Sequence, residues 1–181
     1  MGKTVRTFIS IDIPVTDEIK GVLQSLKGVR NVRPVPISQI HITLRFLGDT
    51  DERRIPALCD GLKDAFDGFG PIDLVMKGMG AFPNLKNPRV VWIGFEDSAR
   101  LMEAADVVTG ILDSSGLDYD RKRFSPHVTV GRVNGKADIG DMISSKKEKE
   151  FCRFTCTEIK VMGSELTPKG AIHTVLGRVS L

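Results

Sequence analysis

Two copies of the pattern His-x-Thr-x are the residues of this sequence best suited to catalysis. The first copy begins at His41 and the second at His127, and the threonines follow two positions later, at Thr43 and Thr129. Side chains alternate between the two faces of a β-strand, so each copy presents an imidazole and a hydroxyl on one face. Two of only three histidines share this pattern, which composition alone does not explain.

Two imidazoles beside two hydroxyls can cleave a phosphodiester. One histidine can take a proton from water while the other gives a proton to a leaving oxygen, because the unperturbed pKa of imidazole is about 6.5. The hydroxyls can donate hydrogen bonds to phosphate oxygens, where negative charge develops. Arg45 and Arg132 follow the motifs and are further candidates for phosphate binding. Arg45 shares strand parity with His41, whereas Arg132 shares it with His127 only if a bulge intervenes.

The elements that must position these residues occur in the same order twice. Strand, helix and motif strand occupy residues 5–47 and again residues 89–133. Period-2 alternation predicts the strands, and apolar residues at helical spacing predict the helices. Such a duplication predicts two pseudo-symmetric lobes, with the motif strands facing each other across a cleft. The other predicted elements are a helix ending at Phe66, a strand over 71–79, a short helix over 139–147 and final strands over about 150–162 and 172–179.

Composition limits the function classes. At 181 residues, with 41% hydrophobic and 27% charged, the chain resembles one globular domain. Its net charge of +3 permits a polyanionic partner without requiring one. The sequence has no apolar stretch of membrane-spanning length and no signal-peptide segment, so we expect a cytoplasmic protein. Cys59, Cys152 and Cys156 are widely spaced and are expected to be buried free thiols.

Other catalytic signatures are missing from the sequence. It contains no H-E-x-x-H motif or Cys/His cluster for a catalytic metal, and no Gly-x-Ser-x-Gly elbow. Gly78 and Gly80 lack the third glycine of a dinucleotide-binding loop, because Pro83 takes its place. Trp92 and Phe46 lie in apolar runs, which favours core packing over stacking against a base.

The ordered set of segments resembles the 2H phosphoesterase superfamily, and within it the RNA 2′,3′-cyclic phosphodiesterases, also called 2′-5′ RNA ligases. The segments are RTFISIDIP at 6–14, HITLRFLG at 41–48, GAFP at 80–83, PRVVWIG at 88–94, FSPHVTV at 124–130 and SELTPKGA at 164–171. The resemblance implies a bilobal α+β fold in which two antiparallel sheets flank a central groove, with helices outside. It implies one domain over residues 1–181, with one motif strand from each lobe.

The resemblance also implies the reaction and the residue roles. The reaction is hydrolysis of an RNA 2′,3′-cyclic phosphate end to a 2′-phosphate, with neither metal nor cofactor. Separately, we expect a monomer whose RNA substrates include tRNA fragments. His41 would be the proton donor to the departing 3′ oxygen and His127 the proton acceptor that activates water, while Thr43 and Thr129 grip the phosphate. Microscopic reversibility allows the reverse 2′-5′ ligation. The family usually carries tyrosine at the position of His173.

Two other functions are consistent with the same residues. One is an RNA-end binding protein with little turnover, which a His41→Ala variant with normal RNA binding and unchanged turnover would support. The other is the same chemistry on a small cyclic nucleotide. A comparison of rates on a mononucleotide and an oligonucleotide distinguishes that enzyme from one that acts on RNA.

Overall fold

The structure, a computed structural model, describes residues 2–181 as a mixture of antiparallel strands and helices. The strands are β1 (Thr4–Asp12), β2 (Val32–Pro34), β3 (His41–Asp51), β4 (Ile72–Phe82), β5 (Val90–Phe95), β6 (Val128–Val133), β7 (Glu150–Cys156), β8 (Glu158–Thr167) and β9 (Gly170–Ser180). The helices are α1 (Asp17–Lys27), α2 (Ile55–Phe66), α3 (Ala99–Ser115) and α4 (Gly140–Ser145).

Within the described residues, all strands belong to one sheet in which the two halves meet at the motif strands. The order is β7-β4-β5-β6-β3-β1-β8-β9, with β2 beside β6, and the pairings are antiparallel. A single residue pair, Ile42 opposite Val128, joins β3 to β6. The predicted α+β class with antiparallel halves around a groove is confirmed. The motif strands, however, are neighbours at this pair rather than facing each other, and β2 lies beside β6 at residues 131–133.

The helices pack against both halves of the sheet. Helix α1 contacts β2, β6 and β7, while α2 contacts β9 and α3 contacts β3. Thr16 caps α1, because its side chain accepts a hydrogen bond from the Ile19 backbone N–H. The apolar stripes of the first two helices are buried in the core: Ile19, Val22, Leu23 and Leu26 in α1, and Ile55, Leu58, Leu62 and Phe66 in α2. None of the helices within residues 2–181 is long and apolar enough to cross a membrane.

One predicted strand is in fact two. The sequence predicts a single strand over about 150–162, but β7 ends at Cys156 and β8 begins at Glu158. Strand β7 pairs with β4 and β8 pairs with β1, so the chain crosses from one half of the sheet to the other at Thr157. No glycine or proline marks this crossing, and β-forming residues continue through it, so the pattern contains no break signal.

The three cysteines are buried and free, as the sequence predicts. Burial raises the pKa of each thiol, because the low-polarity surroundings disfavour the thiolate. A thiol with a raised pKa is a poor nucleophile near neutral pH. The cysteines therefore belong to the packing of the core.

Candidate active site

The two motifs meet where the halves of the sheet are joined. Ile42 and Val128, which form the joining pair, are fully buried. Their neighbours therefore point to the other face of the sheet, where they line a cavity of about 360 Å³, here called the groove. The residues that line the groove are Arg6, Phe8, Val35, Gln39, His41, Thr43, Phe46, His127, Thr129, Arg132, Ser164, Leu166, Ala171 and His173.

The strand register places each histidine next to the threonine of the other motif. Because β3 and β6 run antiparallel through their joining pair, His41 lies alongside Thr129 and Thr43 lies alongside His127. Two imidazoles and two hydroxyls therefore point into one small volume. This set can hydrogen-bond to several oxygens of a single tetrahedral anion and exchange protons on two sides of it.

A bulge in β3 determines which side chains follow the first motif into the groove. The register against β1 shifts at Leu44, which is the extra residue. The bulge ends the simple alternation, so Phe46 lines the groove and Arg45 does not. Instead, Arg45 Nε donates a hydrogen bond to Thr109 Oγ1 of α3 at 2.8 Å. The structure thus corrects two expectations: Arg45 does not line the groove, and Phe46 lines the groove rather than packing in the core.

Strand β6 carries a bulge at the same position of its motif. Its register against β5 shifts at Val130, the residue directly after Thr129. Alternation resumes one residue late, and Arg132 therefore lines the groove. Arg132 therefore lies in the groove although simple alternation disfavoured it, whereas Arg45, which alternation favoured, does not. In both motifs the fourth residue is the bulged one.

A hydrogen bond fixes the tautomer of His127. Its Nδ1 lies 2.6 Å from the Ser125 carbonyl oxygen, and a carbonyl oxygen can only accept, so Nδ1 carries a proton. In the neutral ring, Nε2 then has the lone pair and can accept a proton. The Phe82 ring meets the His127 ring edge to face at 5.0 Å, and Trp92 lies 5.2 Å behind Phe82. Trp92 therefore supports the wall of the site and does not line the groove.

His41 is half-buried and is held by Thr43 and Phe8. Its Nε2 lies 3.0 Å from Thr43 Oγ1, and its ring stacks on Phe8 at 5.0 Å. Burial, followed by the neighbouring His173, lowers the pKa of His41 from 6.5 to about 4. A hydrogen bond with the Gln39 backbone and the charge of Asp12 oppose this shift. In the protein alone, His41 is therefore neutral at neutral pH.

His173 occupies the groove next to His41. The two rings are 5.6 Å apart, and His173 also meets Phe8 edge to face at 5.0 Å. Burial lowers the pKa of His173. The strand that carries it is tied to the first motif, because Gln39 Nε2 donates a hydrogen bond to the Ala171 carbonyl oxygen at 2.7 Å. His173 therefore lies close enough to His41 to affect its charge.

Strand β1 contributes two groove residues that the motifs did not indicate. Arg6 and Phe8 share one face of β1, while Ile9 and Ile11 on the other face are fully buried. The Arg6 guanidinium lies 4.8 Å from the centre of the Phe46 ring. Alternation along β1 was the signal available for finding both residues, since it separates them from the buried isoleucines.

No group of three His, Cys, Asp or Glu side chains arranged to hold a metal ion occurs among residues 2–181. The polar groups that line the groove include imidazoles, hydroxyls, guanidinium groups and one carboxamide. These groups suit an anionic phosphate, which guanidinium groups and hydroxyls bind by donating hydrogen bonds.

Comparisons with known proteins agree with this geometry. The family model of the 2′-5′ RNA ligase superfamily matches residues 15–167. An RNA 2′,3′-cyclic phosphodiesterase of Archaeoglobus fulgidus is 34% identical over 172 residues, which cover 93% of this chain and 96% of its own. One of Methanocaldococcus jannaschii is 32% identical over 178 residues, with 95% and 98% covered. The chain therefore belongs to the 2′-5′ RNA ligase superfamily, as its two His-x-Thr motifs predict.

A solved structure also shares the fold. Escherichia coli LigT, crystallised with 3′-AMP, superposes with a TM-score of 0.79 and covers 99% of both chains at 22% sequence identity. At this level of identity the likeness concerns the fold alone.

Proposed function

We propose that this protein hydrolyses RNA 2′,3′-cyclic phosphate ends to 2′-phosphates by acid–base catalysis with two histidines. The observation that carries the proposal is the convergence of both His-x-Thr pairs on one groove. The relatives named RNA 2′,3′-cyclic phosphodiesterase, which align over nearly the whole chain, support the substrate and the reaction.

In the proposed mechanism, the two histidines act on opposite sides of the phosphorus atom. His127 Nε2 takes a proton from water as the water oxygen bonds to phosphorus. The bond between phosphorus and the 3′ oxygen breaks, and His41 gives that oxygen a proton. The product is a 2′-phosphate with a free 3′-hydroxyl. The tautomer of His127 supports its role, because the proton on Nδ1 leaves Nε2 as the acceptor.

Thr43 and Thr129 are proposed to hold the non-bridging oxygens of the phosphate. Each hydroxyl lies alongside an imidazole in the strand register and can donate one hydrogen bond to an anionic oxygen. Preorganised donors stabilise the charge that develops on these oxygens as water attacks.

In the proposed mechanism, substrate binding makes His41 the protonated form that a proton donor requires. A proton donor must be protonated, yet the pKa of His41 is lowered to about 4 in the protein alone. An anionic phosphate beside the ring favours the imidazolium form and raises this pKa. The substrate thus creates its own general acid, and His41 gives the proton up readily once the 3′ oxygen departs.

Ligation in the 2′-5′ direction would use the same groups. If the 5′-hydroxyl of a second RNA replaces water, His127 removes its proton and the cyclic phosphate opens to a 2′-5′ linkage. Microscopic reversibility requires that His41 and His127 also serve the cleavage of this linkage, with their roles exchanged.

The proposal is tested with an oligoribonucleotide that ends in a 2′,3′-cyclic phosphate, assayed in EDTA. We expect His41→Asn and His127→Asn each to lower kcat/KM by about 10²–10⁴-fold. Thr43→Val and Thr129→Val should each cost about 10²-fold. A matched control is Thr155→Val on the edge strand β7, where the Thr155 hydroxyl donates a hydrogen bond to Asp73 of β4. It should keep full activity. RNA binding without turnover in the wild type would instead support the binding-protein function.

The proposal has further parts that rest on the sequence and on its resemblance to the family. They are tRNA fragments as natural substrates, a monomeric chain, a cytoplasmic location and one domain over residues 1–181 built from two pseudo-symmetric lobes. The matching bulges at Leu44 and Val130 support the duplication, because an irregularity at the same motif position is expected if both motifs share an origin. Light scattering of the purified protein tests the monomeric state.

A further inference from the structure

Two arginines lie directly opposite each other at one end of the groove. Arg33 on β2 pairs with Arg132 on β6 in an antiparallel register, so their side chains share a face of the sheet. Both are exposed. Like charges at directly opposed positions destabilise a sheet. Over residues 2–181 neither side chain forms an ion pair or a hydrogen bond that would offset this cost.

The arginine pair continues the groove beyond His41. Arg132 lines the groove, and so does Val35, which shares a strand face with Arg33. The Val35 backbone N–H donates to the Val130 carbonyl oxygen at 2.9 Å, which keeps β2 beside β6 at this point. His41 lies alongside Thr129, three positions before Arg132, so the pair is at the His41 end of the groove. Because Val130 is the extra residue of a bulge, this span covers two ladder steps, or about 7 Å along the strand.

Two further basic residues lie in the turns at this end. Asn31 Nδ2 donates to the Lys136 carbonyl oxygen at 2.6 Å, so the turn before β2 contacts the turn after β6. These turns carry Arg30 and Lys136. The opposite end of the groove differs, because there Arg6 covers the Phe46 ring. The end of the groove with the arginine pair therefore carries two directly opposed guanidinium groups, whereas the opposite end carries the single guanidinium of Arg6.

We propose that Arg33 and Arg132 bind the phosphodiester that precedes the terminal nucleotide of the RNA. This rests on the proposed function, in which His41 protonates the 3′ oxygen and the terminal ribose lies on the His41 side. From that ribose the RNA chain continues towards its 5′ end, and the arginine pair lies one nucleotide further along. The pair makes the protein select oligonucleotide ends over cyclic mononucleotides, because a mononucleotide has no second phosphate for it.

The test compares three substrates and two variants. The substrates are adenosine 2′,3′-cyclic phosphate, a dinucleotide that ends in the same cyclic phosphate, and that dinucleotide with an uncharged methylphosphonate between its nucleosides. The variants are Arg33→Gln and, as a control that removes the same charge, Arg153→Gln on β7 at the far edge of the sheet. The ratio of kcat/KM for the dinucleotide to that for the mononucleotide is the quantity measured.

We expect the wild type and Arg153→Gln to prefer the dinucleotide by at least about tenfold, in line with a charge-assisted hydrogen bond. Arg33→Gln should lose most of this preference while its mononucleotide kcat/KM stays unchanged. The methylphosphonate should lower wild-type activity by a similar factor and cause no further decrease in Arg33→Gln. On the dinucleotide, kcat/KM of Arg33→Gln should fall less steeply with added salt than kcat/KM of the wild type, because the variant no longer neutralises the internal phosphate.

Three results would overturn the proposal. One is an equal fall of both rates in Arg33→Gln, and another is an Arg33→Gln variant that matches the control on the dinucleotide. A wild type that opens the mononucleotide and the dinucleotide equally well would also overturn it, while leaving the cyclic phosphodiesterase activity intact. If the wild type opens none of the substrates, the proposed function itself fails, and the assignment of the arginines fails with it.

Discussion

The buried position of His41 predicts a specific dependence of stability on pH. In the folded protein its pKa is about 4, and in the unfolded chain it returns to 6.5. Between these values the unfolded chain binds a proton that the folded protein does not bind. The free energy of unfolding therefore falls as the pH falls through this window. Above the window His41 causes no loss of stability, because it is neutral in both states.

The magnitude follows from the two pKa values. At pH 5 the unfolded His41 is almost fully protonated and the folded one is almost fully neutral. The difference of about 1.5 units between pH 5 and the unfolded pKa corresponds to about 2 kcal/mol, at about 1.36 kcal/mol for each unit. At about pH 7.5 the contribution is close to zero. A His41→Asn variant lacks this titration and should lose about 2 kcal/mol less than the wild type between these two pH values.

Two measurements check this prediction. Urea unfolding at about pH 7.5 and about pH 5 gives the decrease in stability for the wild type and for His41→Asn, and the difference between the two decreases isolates His41. An NMR titration of the ring protons gives the pKa directly, and with only three histidines the signal that disappears in the variant is the signal of His41. Equal decreases in the two proteins, together with a His41 pKa near 6.5, would refute the reasoning.

Other substitutions test the packing around the site. Gly80→Ala places a Cβ 2.2 Å from the Trp92 ring and should destabilise the protein by about 1–3 kcal/mol and shift the fluorescence of this single tryptophan. In Gly110→Ala, the added Cβ in α3 meets nothing within 4 Å. This variant should be more stable by about 0.5–1 kcal/mol, and its urea midpoint should therefore rise. Arg45→Ala removes the hydrogen bond to Thr109 and should cost about 1 kcal/mol of stability while kcat/KM stays at the wild-type value. A large decrease in activity of a folded Arg45→Ala protein would contradict the position found for this side chain.

The parts of the site that follow from strand alternation could be predicted from the sequence. Each motif has an apolar residue between its histidine and its threonine, and this pattern turns the polar pair away from the core at His41 and at His127. The two bulges could not be predicted, because Leu44 and Val130 are ordinary apolar strand residues whose types do not mark an irregularity. The bulges exchanged the expected positions of the arginines that follow the motifs.

Long-range pairing is the other feature that the sequence does not contain. Arg33 and Arg132 are far apart in the chain, and only the alignment of β2 with β6 shows that they are opposed. The crossing at Thr157 is similar, because the residues around it form strands equally well on either half of the sheet. Local propensity determines that a segment is extended, whereas the partner strand is determined by tertiary packing.

The central claim is that His41 and His127 open a 2′,3′-cyclic phosphate as acid and base. Its most direct test is ³¹P NMR of the product from an oligoribonucleotide with a cyclic end, for the wild type and for folded His41→Ala and His127→Ala proteins. We predict a 2′-phosphate from the wild type and unreacted cyclic phosphate from both variants. A 3′-phosphate product would contradict the assignment of His41 to the 3′ oxygen, and full turnover in either variant would contradict the two-histidine mechanism.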